Sequence, residues 1–209
     1  MSEKKILTIE FIWFYLLLPV SFLFEYPSAI KVLLAILSFT FIFRYLWKHK
    51  AFNFKTKQEY WKPFWRELSI RFLIIVLLMT AFTYFFYPET FFRVMLEKTG
   101  LWVFILFVYS LFSVTLQEII YRTYFFERYS RLFPNTFVFI VVNALAFSLA
   151  HIFLKSILVL FLTFVGGVLF ALTYKKTRST TLVCIEHALF GFWLFTVGLG
   201  EMLAFPGVN

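Results

Sequence analysis

Apolar residues along this chain fall into long runs, each set off from the next by a short polar or basic connection. The runs extend from Leu7 to Phe24, Ala29 to Trp47, Phe72 to Tyr87, Leu101 to Tyr129, Thr136 to Leu154, Ser156 to Tyr174 and Thr180 to Leu199. Most match the roughly 20 apolar residues a helix needs to cross a bilayer. Pro27, Pro88 and Pro134 fall at the breaks, where a helix cannot continue. The pattern predicts an all-α, polytopic transmembrane helical bundle of about seven spans. Residues 49–71, with lysines and arginines interleaved with Trp61 and Trp65, read as a basic aromatic segment lying along the bilayer surface. A short tail follows the last run.

Composition agrees with this pattern. Hydrophobic residues make up 62% of the 209 and the mean hydropathy is +0.85, well above a soluble domain. A net charge of +9 invites a nucleic-acid reading until the basic residues are located. Of the 20 lysines and arginines, only Lys31, Arg93, Lys98 and Lys155 fall outside when the N-terminus is cytoplasmic. That bias is the positive-inside pattern and points to an anionic inner leaflet as partner, with no nucleic acid. The first run lacks a small-residue cleavage site, so it reads as a retained helix. Compact length favours a bacterial inner (plasma) membrane. The single cysteine, Cys184, leaves no internal disulfide and no cysteine-based zinc site. No internal repeat interrupts a one-domain reading, with N-terminal helices and the basic segment over residues 1–100 and a core over 101–209.

Ionisable groups inside apolar runs are costly and mark pathways, reactions or ion pairs that hold a bundle together. Glu118 and Arg122 stand four apart, on one face of a helix, and can neutralise each other. His151 and His187 are their expected partners. Counting about 1.5 Å per residue from the nearest turns puts Glu118 and His151 at similar depth, whereas His187 lies shallower and needs tilted helices to join them. His49, between lysines, reads as solvated.

Elimination narrows the chemistry. The chain has no aspartate, which removes paired-aspartate intramembrane proteases, and no H-E-x-x-H pair or G-x-S-x-G elbow. A glutamate with two histidines remains. The same trio has the composition of a three-ligand zinc site, but no two ligands share a helix and no separate base would remain unless Glu186 serves, so no metal and no other cofactor is expected.

Gln117-Glu118-x-x-x-Arg122, then Phe147-Ser-Leu-Ala-His151, then His187 in Glu186-His-Ala-Leu-Phe-Gly191 resembles the three motifs of the CPBP (CAAX protease and bacteriocin-processing) family of glutamic-type intramembrane endopeptidases. The resemblance covers about Leu101 to Gly200 and implies a four-helix catalytic core, with the first three helices as variable additions. It implies that Glu118 and His151 hold and activate a water, that His187 stabilises the oxyanion, and that Arg122 orients the carboxylate, partly through Tyr121 or the backbone. Asn143 reads as a helix contact or supporting donor, Phe147 as packing, and Glu186 as a second carboxylate of the site or a solvated one.

Two positions depart from the family pattern. Gln117 stands where a first glutamate is usual, and Gly191 where an asparagine or aspartate is usual. The expected activity is hydrolysis of a membrane-anchored or lipidated peptide or protein substrate. The alternative is a catalytically silent member acting as a peptide-binding, immunity or scaffold protein. A small transporter relaying protons through Glu118 is disfavoured by the lack of repeat symmetry.

Overall fold

The computed structural model describes residues 2–200 and 202, and most of the expected C-terminal tail lies outside them. Among the described residues there are eight helices and no strand. Helix α1 is built from Glu3–Ile12, a π turn at Trp13–Leu17 and Leu18–Ser21. It is followed by α2 (Ser28–Lys48), α3 (Gln58–Phe86), the short α4 (Arg93–Glu97), α5 (Thr99–Tyr129), α6 (Thr136–Leu149), α7 (Ile157–Thr177) and α8 (Thr180–Val197). Five of these, α2, α3, α5, α7 and α8, are long and apolar enough to cross a membrane. The bundle is therefore a multi-pass membrane protein.

Two of the seven expected spans differ in kind. Helix α6 has only 14 residues, or about 21 Å at 1.5 Å per residue, short of the roughly 30 Å apolar layer. It was expected to run to Leu154. Instead the His151 N–H bonds back to the Ser148 carbonyl and Lys155 turns left-handed (φ 53°), so His151 sits at the helix end rather than within a span. Helix α1 carries Glu3, Lys4, Lys5 and Glu10 among its apolar residues. The Glu10 carboxylate accepts from Arg128, at 2.8 Å to Nη2, and from the Tyr124 and Tyr129 hydroxyls, which ties α1 to the end of α5.

The basic segment also differs from expectation. Rather than lying along the surface, residues from Gln58 onward are the first turns of α3, a continuous helix of 29 residues. Residues 51–57 have no regular secondary structure. They strap the α7–α8 turn: the Thr180 N–H donates to the Asn53 carbonyl at 2.8 Å and the Thr181 hydroxyl to the Phe54 carbonyl at 2.6 Å. Arg71, read from sequence as a surface charge, instead reaches from α3 to the buried Glu186 of α8, with Nη1 2.9 Å from Oε1.

Local sequence explains the helix starts at the core. Asn135, Ser156 and Ser179 accept hydrogen bonds from the backbone of Val138, Val159 and Leu182, capping α6, α7 and α8. Helices α6 and α7 then cross closely, because Gly167 presents no side chain to Ala144. A Cβ at Gly167 would lie 3.0 Å from the Ala144 Cα. Gly167→Val is therefore expected to cost about 1–3 kcal/mol through overpacking, read as a lower unfolding midpoint in detergent. An unchanged midpoint would mean that the two helices do not cross there.

A candidate active site between α5, α6 and α8

Helix α5 is interrupted by two π turns, at Tyr109–Val114 and Ile119–Tyr124. Wider turns of this kind free backbone carbonyls from the regular ladder and collect at functional sites. Two of the carbonyls in the second turn are taken by side chains from other helices. The Tyr15 hydroxyl of α1 donates to Ile120 at 2.9 Å, and Asn143 Nδ2 of α6 donates to Tyr121 at 2.6 Å. Asn143 thus supports the backbone on which Glu118 and Arg122 are mounted.

Glu118, at the start of that turn, is fully buried and has two cationic or ionisable neighbours. Its Oε1 lies 2.7 Å from His187 Nδ1, and its Oε2 lies 3.4 Å from Arg122 Nε without hydrogen-bond alignment. The depth count left His187 the least certain partner, and the geometry makes it the closest one. Arg122 is also fully buried. Its guanidinium lies 4.8 Å and 5.6 Å from the rings of Phe147 and Phe170, and its Nη2 donates to the Gly167 carbonyl at 3.5 Å. Its contact with Glu118 is direct rather than through Tyr121.

His151 and His187 approach from different helices and share Phe147, whose ring centroid lies 5.0 Å from one imidazole and 5.5 Å from the other. Phe147 also lines the cavity described below. His151 Nδ1 lies 2.9 Å from the Phe147 carbonyl. A carbonyl only accepts, so His151 Nδ1 carries a proton; a neutral His187 donating to an ionised Glu118 would likewise hold its proton on Nδ1 and leave Nε2 as an acceptor. Both histidines line one cavity of about 560 Å³.

That cavity has two unlike walls. Tyr109, Ser113, Gln117 and Tyr121 of α5 join the histidines on one side, while Ile75, Leu78 and Met79 of α3 and Phe161, Leu162, Val165 and Leu169 of α7 form the other. Leu78, Phe161 and Val165 are exposed on the bundle surface, so the cavity reaches the lipid-facing side between α3 and α7. Glu118 does not line it. Gln117 does: its Nε2 donates to the Ser113 hydroxyl at 2.9 Å, and its Oε1 is buried without a partner.

Glu186 is turned away from Glu118. It pairs with Arg71, whose Nη1 also donates to the Thr173 hydroxyl at 3.0 Å. Cys184 is a free, half-buried thiol packed beside the α5 cluster. Among the described residues no group of three or more His, Cys, Asp or Glu side chains is arranged to hold a metal ion, so the three-ligand zinc geometry is not assembled. Sequence reasoning missed Tyr109 and Ser113; their spacing of eight and four residues before Gln117 was the available signal.

Residues 98–193 match the family model described as Type II CAAX prenyl endopeptidase Rce1-like. Neither the curated proteins nor the solved structures gave a match. The matched stretch takes in all of α5, α6 and α7, together with most of α8, and so contains every residue of the cavity's polar wall. Over this stretch the chain is similar to the Rce1-like type II CAAX prenyl endopeptidases.

Proposed function

We propose that this chain is an intramembrane endopeptidase that hydrolyses a peptide bond of a membrane-anchored or lipidated substrate with water as nucleophile. The observation that carries the reading is the 2.7 Å contact between a fully buried Glu118 and a cavity-lining His187. Sequence reasoning gave Glu118 direct contact with the water. Its burial supports a different division of labour, in which Glu118 acts through His187. The carboxylate holds the proton on Nδ1, and Nε2 becomes the base, the same logic by which a carboxylate orients a catalytic imidazole elsewhere.

In this reading a water in the cavity gives a proton to His187 Nε2 as its oxygen bonds to the scissile carbonyl carbon. The carbonyl π electrons move to oxygen. Collapse of the tetrahedral species breaks the C–N bond, and the proton on Nε2 passes to the leaving nitrogen. The water's other proton is held by one further acceptor, His151 Nε2, with Gln117 Oε1 on the same cavity wall. Arg122 offsets the carboxylate's charge in a site without solvent. The lateral opening between α3 and α7 admits the apolar anchor, and the charge distribution supports a cytoplasmic N-terminus.

A second reading rests on Gln117. An amide cannot take a proton, yet it is Gln117 and not Glu118 that faces the cavity. That arrangement also suits a member that binds such peptides without cutting them. Cleavage of a farnesylated C-terminal peptide in proteoliposomes separates the two. We expect the parent chain to cut, Glu118→Gln to lose about 10³-fold in rate, and Gln117→Glu to stay near the parent. An inert parent beside an active Gln117→Glu variant would establish the binding reading instead.

A further inference from the structure

The mechanism above lacks one component. In the hydrolytic reading Nδ1 of each histidine donates to Phe147 or Glu118, so both Nε2 atoms begin as acceptors. His187 Nε2 gains the water's proton as the oxyanion forms and must pass it to the leaving nitrogen, so it is not a fixed donor to that oxygen. A tetrahedral oxyanion in a dry site needs a fixed donor, commonly the largest single contribution to the rate.

We propose that the Tyr109 hydroxyl is that donor, a further catalytic residue of the site; the inference rests on the hydrolytic reading. Three observations carry it. Tyr109 is buried and lines the cavity with Gln117 and the two histidines. Its ring stands edge-on to the His187 ring at 5.9 Å. Its hydroxyl occupies the notch left by Gly191, one helical turn beyond His187: a Cβ at Gly191 would fall 2.0 Å from that oxygen. The phenol therefore reaches the same face of α8 that presents His187, and only a glycine there leaves it room.

The two π turns of α5 account for the alignment. In a regular α-helix each four-residue step overshoots a full turn by about 40°, so residues four apart drift off a common face. Wider π turns reverse the drift. The turns at Tyr109–Val114 and Ile119–Tyr124 keep Tyr109, Ser113, Gln117 and Tyr121 all on the cavity wall. Hydroxyl, hydroxyl and amide thus run as one polar rail opposite an apolar wall.

Two measurements test the assignment. In proteoliposomes, Tyr109→Phe keeps the ring in its notch and removes only the hydroxyl. It is expected to lower kcat about 10²-fold with KM unchanged, and Gly191→Ala, which pushes the phenol aside, is expected to reproduce the loss with the hydroxyl still present. The second measurement does not need turnover: binding of a farnesylated peptide whose scissile amide is replaced by a phosphinate, a tetrahedral anion, against binding of the amide itself. Tyr109→Phe is expected to weaken the phosphinate about 10²-fold and leave the amide unchanged. Phosphinate binding equal in parent and Tyr109→Phe, or a loss that follows Ser113→Ala instead, would overturn the proposal. A parent chain that fails to cut but shows hydroxyl-dependent phosphinate binding would count against the hydrolytic reading alone.

Discussion

His187→Ala is expected to lower kcat by about 10³-fold, within the range for losing a positioned general base, with little change in KM. The ring is stacked on Phe170 at 4.5 Å, so its removal enlarges the existing cavity instead of opening a new one. Free imidazole supplied in the buffer is expected to restore part of the rate, since it can enter from the cavity and meet the Glu118 carboxylate. That rescue is expected to vanish in a His187→Ala, Glu118→Ala double variant. A residue acting only through packing would give neither the rescue nor its dependence on Glu118. Equal rates in parent and His187→Ala would rule out the base assigned here.

Arg122→Met is expected to be the most destabilising single change in the core, at about 3 kcal/mol. Arg122 is the largest fully buried side chain, and it sits between two aromatic rings with Glu118 as its ionic neighbour. Removing it leaves a buried carboxylate without its guanidinium. The cost falls at the lower end of the usual range because His187 still holds the other oxygen. Arg122→Lys is expected to recover less than half of the loss, since a compact ammonium cannot stack between Phe147 and Phe170 or reach the Gly167 carbonyl at the same time. Thermal unfolding in detergent reads both variants; a parent-like midpoint for Arg122→Met would show that the ion pair adds nothing to the fold.

The class of fold was legible because apolar run length is set by the bilayer, and few other constraints act on so many residues. The Glu118–Arg122 pairing followed from four-residue spacing alone. Helix ends were harder to read. The start of α3 at Gln58 was hidden because Arg71 and Glu67 look like solvated charges until Glu186 and Lys176 are seen beside them from other helices. The early end of α6 was hidden because nothing local forbids the helix from continuing to Leu154.

At the site, the residues were found and their facing was not. Gln117 and Glu118 are adjacent, and the π turn at Ile119–Tyr124 decides which of them meets the cavity. Such a turn leaves no trace in hydrophobic periodicity. His187 was placed too shallow because depth was counted along straight helices, whereas its 2.7 Å approach to Glu118 depends on how α8 meets α5. Tyr109 escaped notice for a related reason. Its relevance arises from Gly191, a residue that sequence reading treated only as a missing polar group.

The account depends on a buried carboxylate setting the tautomer of a cavity-facing imidazole. Nitrogen-15 NMR of the histidine-labelled protein in nanodiscs reads this directly. The predicted spectrum has His187 protonated at Nδ1 and unprotonated at Nε2, with that signature lost in Glu118→Ala. A proton on Nε2 in the parent, or a His187 signal indifferent to Glu118→Ala, would contradict it.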